Sequence, residues 1–403
     1  MAEYHDREHY IPIRRSELIE ALATDKGLTE EQSDAFRQYC NLINATFHFQ
    51  YHDTLEQLKD EYAPFDPDRV TVPLKEISED VRDRRRDQLF EKFNWLMERA
   101  NYKRLTHDEL MKATEAASDW GINLDIDFTL FEHLEVYIRG DKKGIRPKRH
   151  WLMFWKEEEV EVPLYERVVI ILKLQKHKRL DRSANLKSVY FKLFKEIPKD
   201  DIEMLLPGGR LKMPKFAIGK LGASLVGAIG YVSWKLSGSV TALITALTTF
   251  SYTAIVTLFG PVSLIAGYGY KQWAGYQAAK QSYTMQLTQS LYYLNLDSNA
   301  GVLFHVLDEA EEQECREAIL AYYYLWRYAG ENGWTEKDLD DYVELDLERL
   351  ANLKVDFEIG DALEKLETLE LIEKNGDRYK AVPIDKALEK LDYRWDNYFT
   401  YNK

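Results

Sequence analysis

From Leu236 to Tyr270 the chain runs for 35 residues without a charge, and Leu221 to Trp234 adds 14 more, separated only by Lys235. No other stretch restricts the possible folds so sharply, because that much apolar surface must be withdrawn from water. A bilayer core about 30 Å thick takes roughly 20 helical residues. One straight helix is therefore too long, and two fit. The break Lys235-Leu236-Ser237-Gly238-Ser239 supplies a polar turn with a glycine. The reading is a transmembrane helical hairpin over 216–235 and 240–269, which returns the chain to the face it left.

Charge placement bears on the same expectation. The chain carries 54 Lys and Arg against 68 Asp and Glu, a net charge of −14, which disfavours nucleic-acid binding driven by overall charge. Between Arg139 and Lys220 the balance reverses, with 21 basic against 11 acidic residues. By the positive-inside rule this predicts cytoplasmic flanking domains and an anionic lipid bilayer as partner. The expected lipid-facing basic cluster is Lys173, Lys176, Lys178, Arg179, Arg182, Arg210, Lys212 and Lys215. Gly219, Ala223 and Gly227 recur every four residues, the small-residue stripe that lets helices pack closely. Thr245, Thr249, Thr253 and Thr257 give the second span a polar line that a pore could use.

The flanks have distinct periodicities. Thr29-Glu30-Glu31 opens a helix, and Thr106 with Glu109 forms a capping box before another. From Asp125 to Leu174 the period becomes two, with Asp141-Lys142-Lys143-Gly144 as the turn of a small antiparallel sheet. Near the C-terminus a helix from Thr335 precedes a stripe of Ile359, Ala362, Leu363 and Leu366, then two strands around Asn375-Gly376. That order suggests a winged helix. Its second helix is acidic, with seven carboxylates from Asp356 to Lys374, which points to contact with a protein partner or to structural packing, and not to nucleic acid.

Catalytic signatures are sparse. His48, His52 and Glu56 share one helical face and could hold zinc or iron, although four-residue spacing is common among core aromatics. Neither a Gly-x-x-x-x-Gly-Lys-Ser loop nor a Gly-x-Ser-x-Gly elbow occurs, and Cys40 with Cys315 cannot make a disulfide framework. The opening Met1-Ala2-Glu3-Tyr4-His5-Asp6-Arg7-Glu8 resembles neither a secretory signal nor a transit peptide.

Several phrases together carry a family resemblance: Phe47-His48-Phe49-Gln50-Tyr51-His52, Tyr62-Ala63-Pro64-Phe65-Asp66-Pro67-Asp68, Val136-Tyr137-Ile138-Arg139-Gly140, and the run from Lys192 to Gly208. Across residues 10–335 the chain resembles the transmembrane protein 143-like family, a domain of unknown function. The resemblance implies two predicted membrane spans and, for animal members, association with mitochondria. It implies no catalytic residues. The absence of a transit-like leader shifts the expected location to a prokaryotic plasma membrane.

The sequence thus predicts an α+β membrane protein. A helical N-terminal unit spans 1–122 and a basic α+β unit with a small antiparallel sheet spans 123–213. The transmembrane helical hairpin occupies 214–272, a helical segment 273–330, and an acidic winged-helix-like C-terminal unit 331–403. The expected function is an oligomeric membrane-anchored scaffold or sensor without enzymatic activity or cofactor. The alternative is an oligomeric channel or transporter lined by the second span.

Overall fold

The computed structural model describes residues 8–75, 77–116, 123–149, 157–180, 185–212 and 291–399, with isolated positions between 267 and 285. Helices α1 (Arg15–Ala23), α2 (Glu30–Tyr62), α3 (Glu79–Arg99) and α4 (His107–Ala116) come first. Local chemistry fixes their starts. The Thr29 hydroxyl accepts from the Gln32 amide while Gln32 reaches back to the Thr29 N–H, and Thr106 with Glu109 repeats the device before α4.

A five-stranded antiparallel sheet follows, in the order β1-β3-β4-β5-β7. Its strands are β1 (Lys103–Arg104), β3 (Phe131–Arg149), β4 (Glu157–Leu174), β5 (Val189–Pro198) and β7 (Asn295–Ser298). A separate pair joins β2 (Asn123–Asp125) to β6 (Arg210–Lys212). Alternation sorts the large sheet into two faces. Tyr137, Val169, Ile171, Phe191 and Leu193 enter the main core with α2 and α3. Val136, Ile138, Val168, Ile170 and Phe194 enter a second core with Leu110 of α4, Ile202 and Leu206.

One row of this sheet is bent. Gly140 (φ +74°) on β3 and Glu196 (φ +51°) on β5 both have left-handed backbone. Glu166 of β4 lies between them, flanked by the register pairs Arg139↔Arg167 and Tyr165↔Ile197. Past the row the faces shift, so Phe194 and Ile197, three residues apart, share one core. Only glycine fits at 140, because a Cβ there would lie 2.6 Å from that of Glu166. Past the last β4–β5 pair, Leu164↔Pro198, β3 and β4 continue, among the described residues, as a two-stranded ribbon to the pair Arg149↔Glu157. The Asp141–Gly144 stretch expected to be a turn is therefore strand. A Cβ on Gly144 would meet the Leu164 side chain at 2.3 Å, so this glycine makes room for its cross-strand neighbour.

The long helix α5 (Ala300–Tyr328) crosses the helical face of the sheet and continues into the C-terminal unit. There β8 (Trp334–Thr335), α6 (Glu336–Ala351), α7 (Ile359–Thr368), β9 (Ile372–Asn375), β10 (Arg378–Ala381) and α8 (Ile384–Asp396) succeed one another. The small sheet has the order β8-β10-β9. Thr335 caps α6 and Gly376 (φ +67°) turns the hairpin. One continuous core runs from Ile11 to Leu391.

The expected membrane protein is corrected here. Among the described residues no helix is long and apolar enough to cross a membrane. The longest helices, α2 with 33 residues and α5 with 29, carry charged residues along their length, which a hydrocarbon core does not accept. The spans 216–235 and 240–269, with Lys215, Gly219, Ala223, Gly227, Thr245, Thr249, Thr253 and Thr257, lie outside the described residues apart from Gly267. The transmembrane hairpin, the integral membrane scaffold or sensor, the channel alternative and the plasma-membrane location are therefore withdrawn.

Phe191 is fully buried, with its ring 4.8 Å from Phe93 and 5.0 Å from Tyr62. Phe191→Ala is expected to cost about 3–5 kcal/mol, read from the urea midpoint of the full chain. Gly140→Ala, at the bent row, is expected to cost at least about 1 kcal/mol in the same measurement.

Candidate functional site

A helix buried on all sides is ordinarily apolar throughout. Helix α5 is not: Glu309, Glu311, Gln313, Glu314, Arg316 and Glu317 are all buried along its middle. Each needs a partner, because a buried ion without one costs several kcal/mol. The partners converge from every neighbouring element. Glu311 meets His48 Nδ1 of α2 at 3.1 Å and Arg15 of α1 at 3.9 Å. Glu314 meets Arg99 of α3 at 3.2 Å and, in a close ion pair, Lys365 of α7. Glu317 accepts from Gln313 Nε2 at 2.6 Å and Asn101 Nδ2 at 3.4 Å. Gln313 and Arg316 hold the N-terminal segment, accepting from the Ile11 amide and donating to the Ile13 carbonyl.

Glu309 occupies the centre of this seam. On the sheet, Arg139 and Arg167 are directly opposed, an arrangement that repels unless an anion intervenes. The Glu309 carboxylate supplies that anion, 2.7 Å from Arg139 Nη2 and 3.7 Å from Arg167 Nε, and it accepts the Tyr102 hydroxyl proton at 2.7 Å. His305 adds a contact at 3.6 Å and its other nitrogen faces Asp297 at 2.8 Å. The Arg139 guanidinium is stacked between Tyr10 at 4.0 Å and Tyr102 at 4.5 Å. Burial pushes the Glu309 carboxyl up, but Arg139, His305 and Tyr102 outweigh it and hold the group at about 2. The hydrogen bond to Glu309 raises His305 above the usual imidazole value against its desolvation. Glu317 goes the other way: burial raises it to about 8 despite Gln313 and the charge of Lys365.

Arg139 also forms the inner wall of a cleft of about 650 Å³ between the Glu8–His9 segment, Asn101 and the start of the ribbon. Five cations, Lys103, Arg139, Lys142, Lys143 and Lys199, line it against the carboxylates of Glu8 and Asp141. Lys142 pairs with Glu166 at 2.7 Å, Lys143 with Glu161 at 3.6 Å and Lys103 with Glu109 at 3.6 Å, while Lys199 pairs with Asp141. Arg139 Nε and Arg167 Nε are buried and have no hydrogen-bond partner among the described residues.

The residues expected to carry function are distributed differently. His48 faces Glu311 and Glu56 pairs with Lys59 at 2.7 Å, while His52 is exposed. Among the described residues no group of three His, Cys, Asp or Glu is placed to hold a metal ion. The basic cluster is divided among acidic partners: Lys173 bonds Glu132 at 2.5 Å and Arg179 faces Asp127 at 3.5 Å. Lys176 and Lys178 are exposed, Arg210 and Lys212 lie on β6, and Arg182 is outside the described residues. Cys40 and Cys315 are buried free thiols, both pushed up by desolvation, Cys315 to about 12. In the C-terminal unit α7 turns Lys365 and Asp361 toward α5 and α3 and leaves Glu364 and Glu367 outward.

Reasoning from the sequence singled out neither Glu309 nor the opposed arginines. The available signal was the acidic stretch from Asp308 to Glu317 set between Val302–Leu307 and Ala318–Leu325, apolar on both sides.

Fold and site together define a mixed helix-and-sheet protein built around an ionic seam, with a basic cleft at its edge. Residues 165–301 match the family described as a protein of unknown function (DUF3754). The matched stretch holds Arg167 and Asp297 but stops short of His305 and Glu309. No solved structure matches the chain.

Glu309→Gln keeps the shape and removes the anion between the buried Arg139 and the half-buried Arg167, so a loss of about 3–5 kcal/mol at neutral pH is expected from urea unfolding. In the wild type the Glu309 contribution is complete above the unfolded carboxyl pKa near 4.5 and is lost as pH falls toward about 2. Glu317 has the opposite slope. Its folded value of about 8 lies above the unfolded one, so its protonated form favours the fold and stability falls as pH rises from 4.5 toward 8. Glu317→Gln is expected to flatten urea midpoints measured across that window.

Proposed function

We propose that this protein recognises a small polyanion, one bearing two or more carboxylate or phosphate groups, in the cleft walled by Lys103, Lys142, Lys143 and Lys199. The observation that carries the reading is the concentration of five cations against two carboxylates in one concave site, on a chain whose net charge is −14. A concave positive site on an acidic surface focuses the field on anions of matching size.

The energetics favour exchange. The lysines are held by solvent-exposed ion pairs such as Lys143–Glu161, with side chains 82% and 71% exposed. Pairs of that kind contribute about 0–1 kcal/mol each, so an incoming anion displaces the rim carboxylates at little cost. Arg139 is different, because its guanidinium is held by Glu309 and two aromatic rings and cannot swing out. It supplies a fixed positive floor and the lysines supply adaptable walls. The outer face of α7, with Glu364 and Glu367, is acidic and offers no competing anion site.

Titration calorimetry with pyrophosphate and with citrate tests the reading. Binding is expected, weakening as salt rises. The Lys142→Ala/Lys199→Ala double variant is expected to bind at least about tenfold more weakly, with its urea midpoint close to that of the wild type. Absence of binding at about 10 mM of either anion, or equal affinity in the double variant, overturns it.

A further inference from the structure

The segment from Glu8 to Ile13 runs from the basic cleft to the ionic seam, and its two ends are held by different means. From His9 onward the hold is firm. The His9 carbonyl accepts from Asn101 Nδ2 at 2.9 Å and from Gln313 Nε2 at 3.2 Å. The Tyr10 ring centre lies 4.0 Å from the Arg139 guanidinium carbon and 5.1 Å from that of Arg316. Ile11 is fully buried with its amide on Gln313, and Arg316 donates to the Ile13 carbonyl at 2.9 Å.

Glu8 lies outside that anchor and is held lightly. Its amide donates to the Lys354 carbonyl at 3.3 Å, and its carbonyl accepts from the Asp356 amide at 3.0 Å. The two bonds make one isolated parallel bridge to Val355, in the connection between α6 and α7. The Glu8 carboxylate accepts the Asp141 backbone N–H in the cleft, where the other carboxylate, that of Asp141, is already paired with Lys199. Glu8 therefore places an internal anion in a site lined by five cations. A carboxylate or phosphate oxygen of a ligand is an equivalent acceptor for the same N–H.

From this we infer that Glu8 is an autoinhibitory strap: its carboxylate fills part of the empty cleft, and a polyanion that takes the Asp141 N–H displaces it and undoes the bridge to Lys354 and Asp356. The inference rests on the anion reading of the cleft and adds a signal to it, since occupancy then reaches the C-terminal unit. The far side of the bridge stays packed. Val355 and Phe357 are buried, and the Phe357 amide donates to Glu344 of α6 at 3.3 Å. Release thus loosens the backbone at 354–356 without unpacking those side chains. The His9 ring, 3.7 Å from Asp356 and 3.5 Å from Glu358, adds only half-exposed contacts to the hold. Coupling of this kind is reciprocal, so weakening the strap strengthens anion binding by the factor that the anion weakens the strap.

Hydrogen exchange on the full chain, read by mass spectrometry with pyrophosphate as the probe, tests the strap. Saturating pyrophosphate is expected to speed exchange over residues 352–358 at least about twofold, because the Asp356 amide loses its acceptor. The same concentration is expected to change little in the Lys142→Ala/Lys199→Ala chain. Glu8→Ala removes the carboxylate and leaves the anchor. Without any anion, this chain is expected to exchange faster over 352–358 than the wild type, and in calorimetry to bind pyrophosphate about three- to tenfold more tightly. Pyrophosphate binding with unchanged exchange over 352–358 overturns the strap and leaves the anion reading standing, even where Glu8→Ala binds more tightly, since Glu8 is then only a rim charge. Unchanged exchange in the ligand-free Glu8→Ala chain overturns the strap whether or not an anion binds. Absence of binding by both chains at about 10 mM pyrophosphate removes the anion reading and the strap together.

Discussion

Everything in this structure is organised around one carboxylate facing two guanidinium groups. Arg139 and Arg167 stand opposite each other on adjacent strands, and Glu309 of α5 is the anion that makes their proximity tolerable. Because Arg139 and Glu309 are buried and Arg167 is half-buried, the geometry fixes how the helix lies on the sheet. The N-terminal segment is drawn in by the same site: Tyr10 stacks on Arg139, and Gln313 and Arg316 tie down Ile11 and Ile13. The basic cleft owes its fixed inner wall to that arrangement.

Helix α5 serves as the shared spine of the molecule. Its first half meets the sheet, its middle carries the ionic seam, and its last turns are packed with tyrosines that reach into the C-terminal unit. The Tyr322 hydroxyl donates to the Val382 carbonyl at 2.9 Å, and Tyr39 stacks on the same ring at 4.0 Å. The seam places opposite pH responses on one helix, since Glu309 is held ionised by its neighbours and Glu317 is held protonated by burial. Residues two turns apart differ because one faces arginines and the other faces amides.

Local signals in the sequence translated well where chemistry is local. Thr29, Thr106 and Thr335 cap helices because their hydroxyls reach amides three residues on, and Asn375-Gly376 turns because glycine accepts positive φ. The alternation from Asp125 to Leu174 announced a sheet. It did not announce a strand of 19 residues, because Asp141-Lys142-Lys143-Gly144 has turn composition and only the Leu164 side chain across the ladder explains its glycine. The site was less legible. Arg139 and Glu309 are 170 residues apart, and nothing in either neighbourhood names the other. Spacing of four put His48 and Glu56 on one face, yet their partners, Glu311 and Lys59, decide what they do. The membrane expectation rested on apolarity within a window, which says what a segment avoids and not what covers it.

The left-handed residues Gly140 and Glu196, with Glu166 between them, lie at one height across three strands. A crease shared by neighbouring strands separates the mechanics of what lies on either side of it. The distal arm can grow or shrink by matched residues at its tip, roughly 3.3 Å of reach for each, without moving a side chain in either hydrophobic core. Arm length can thus change while the body stays fixed.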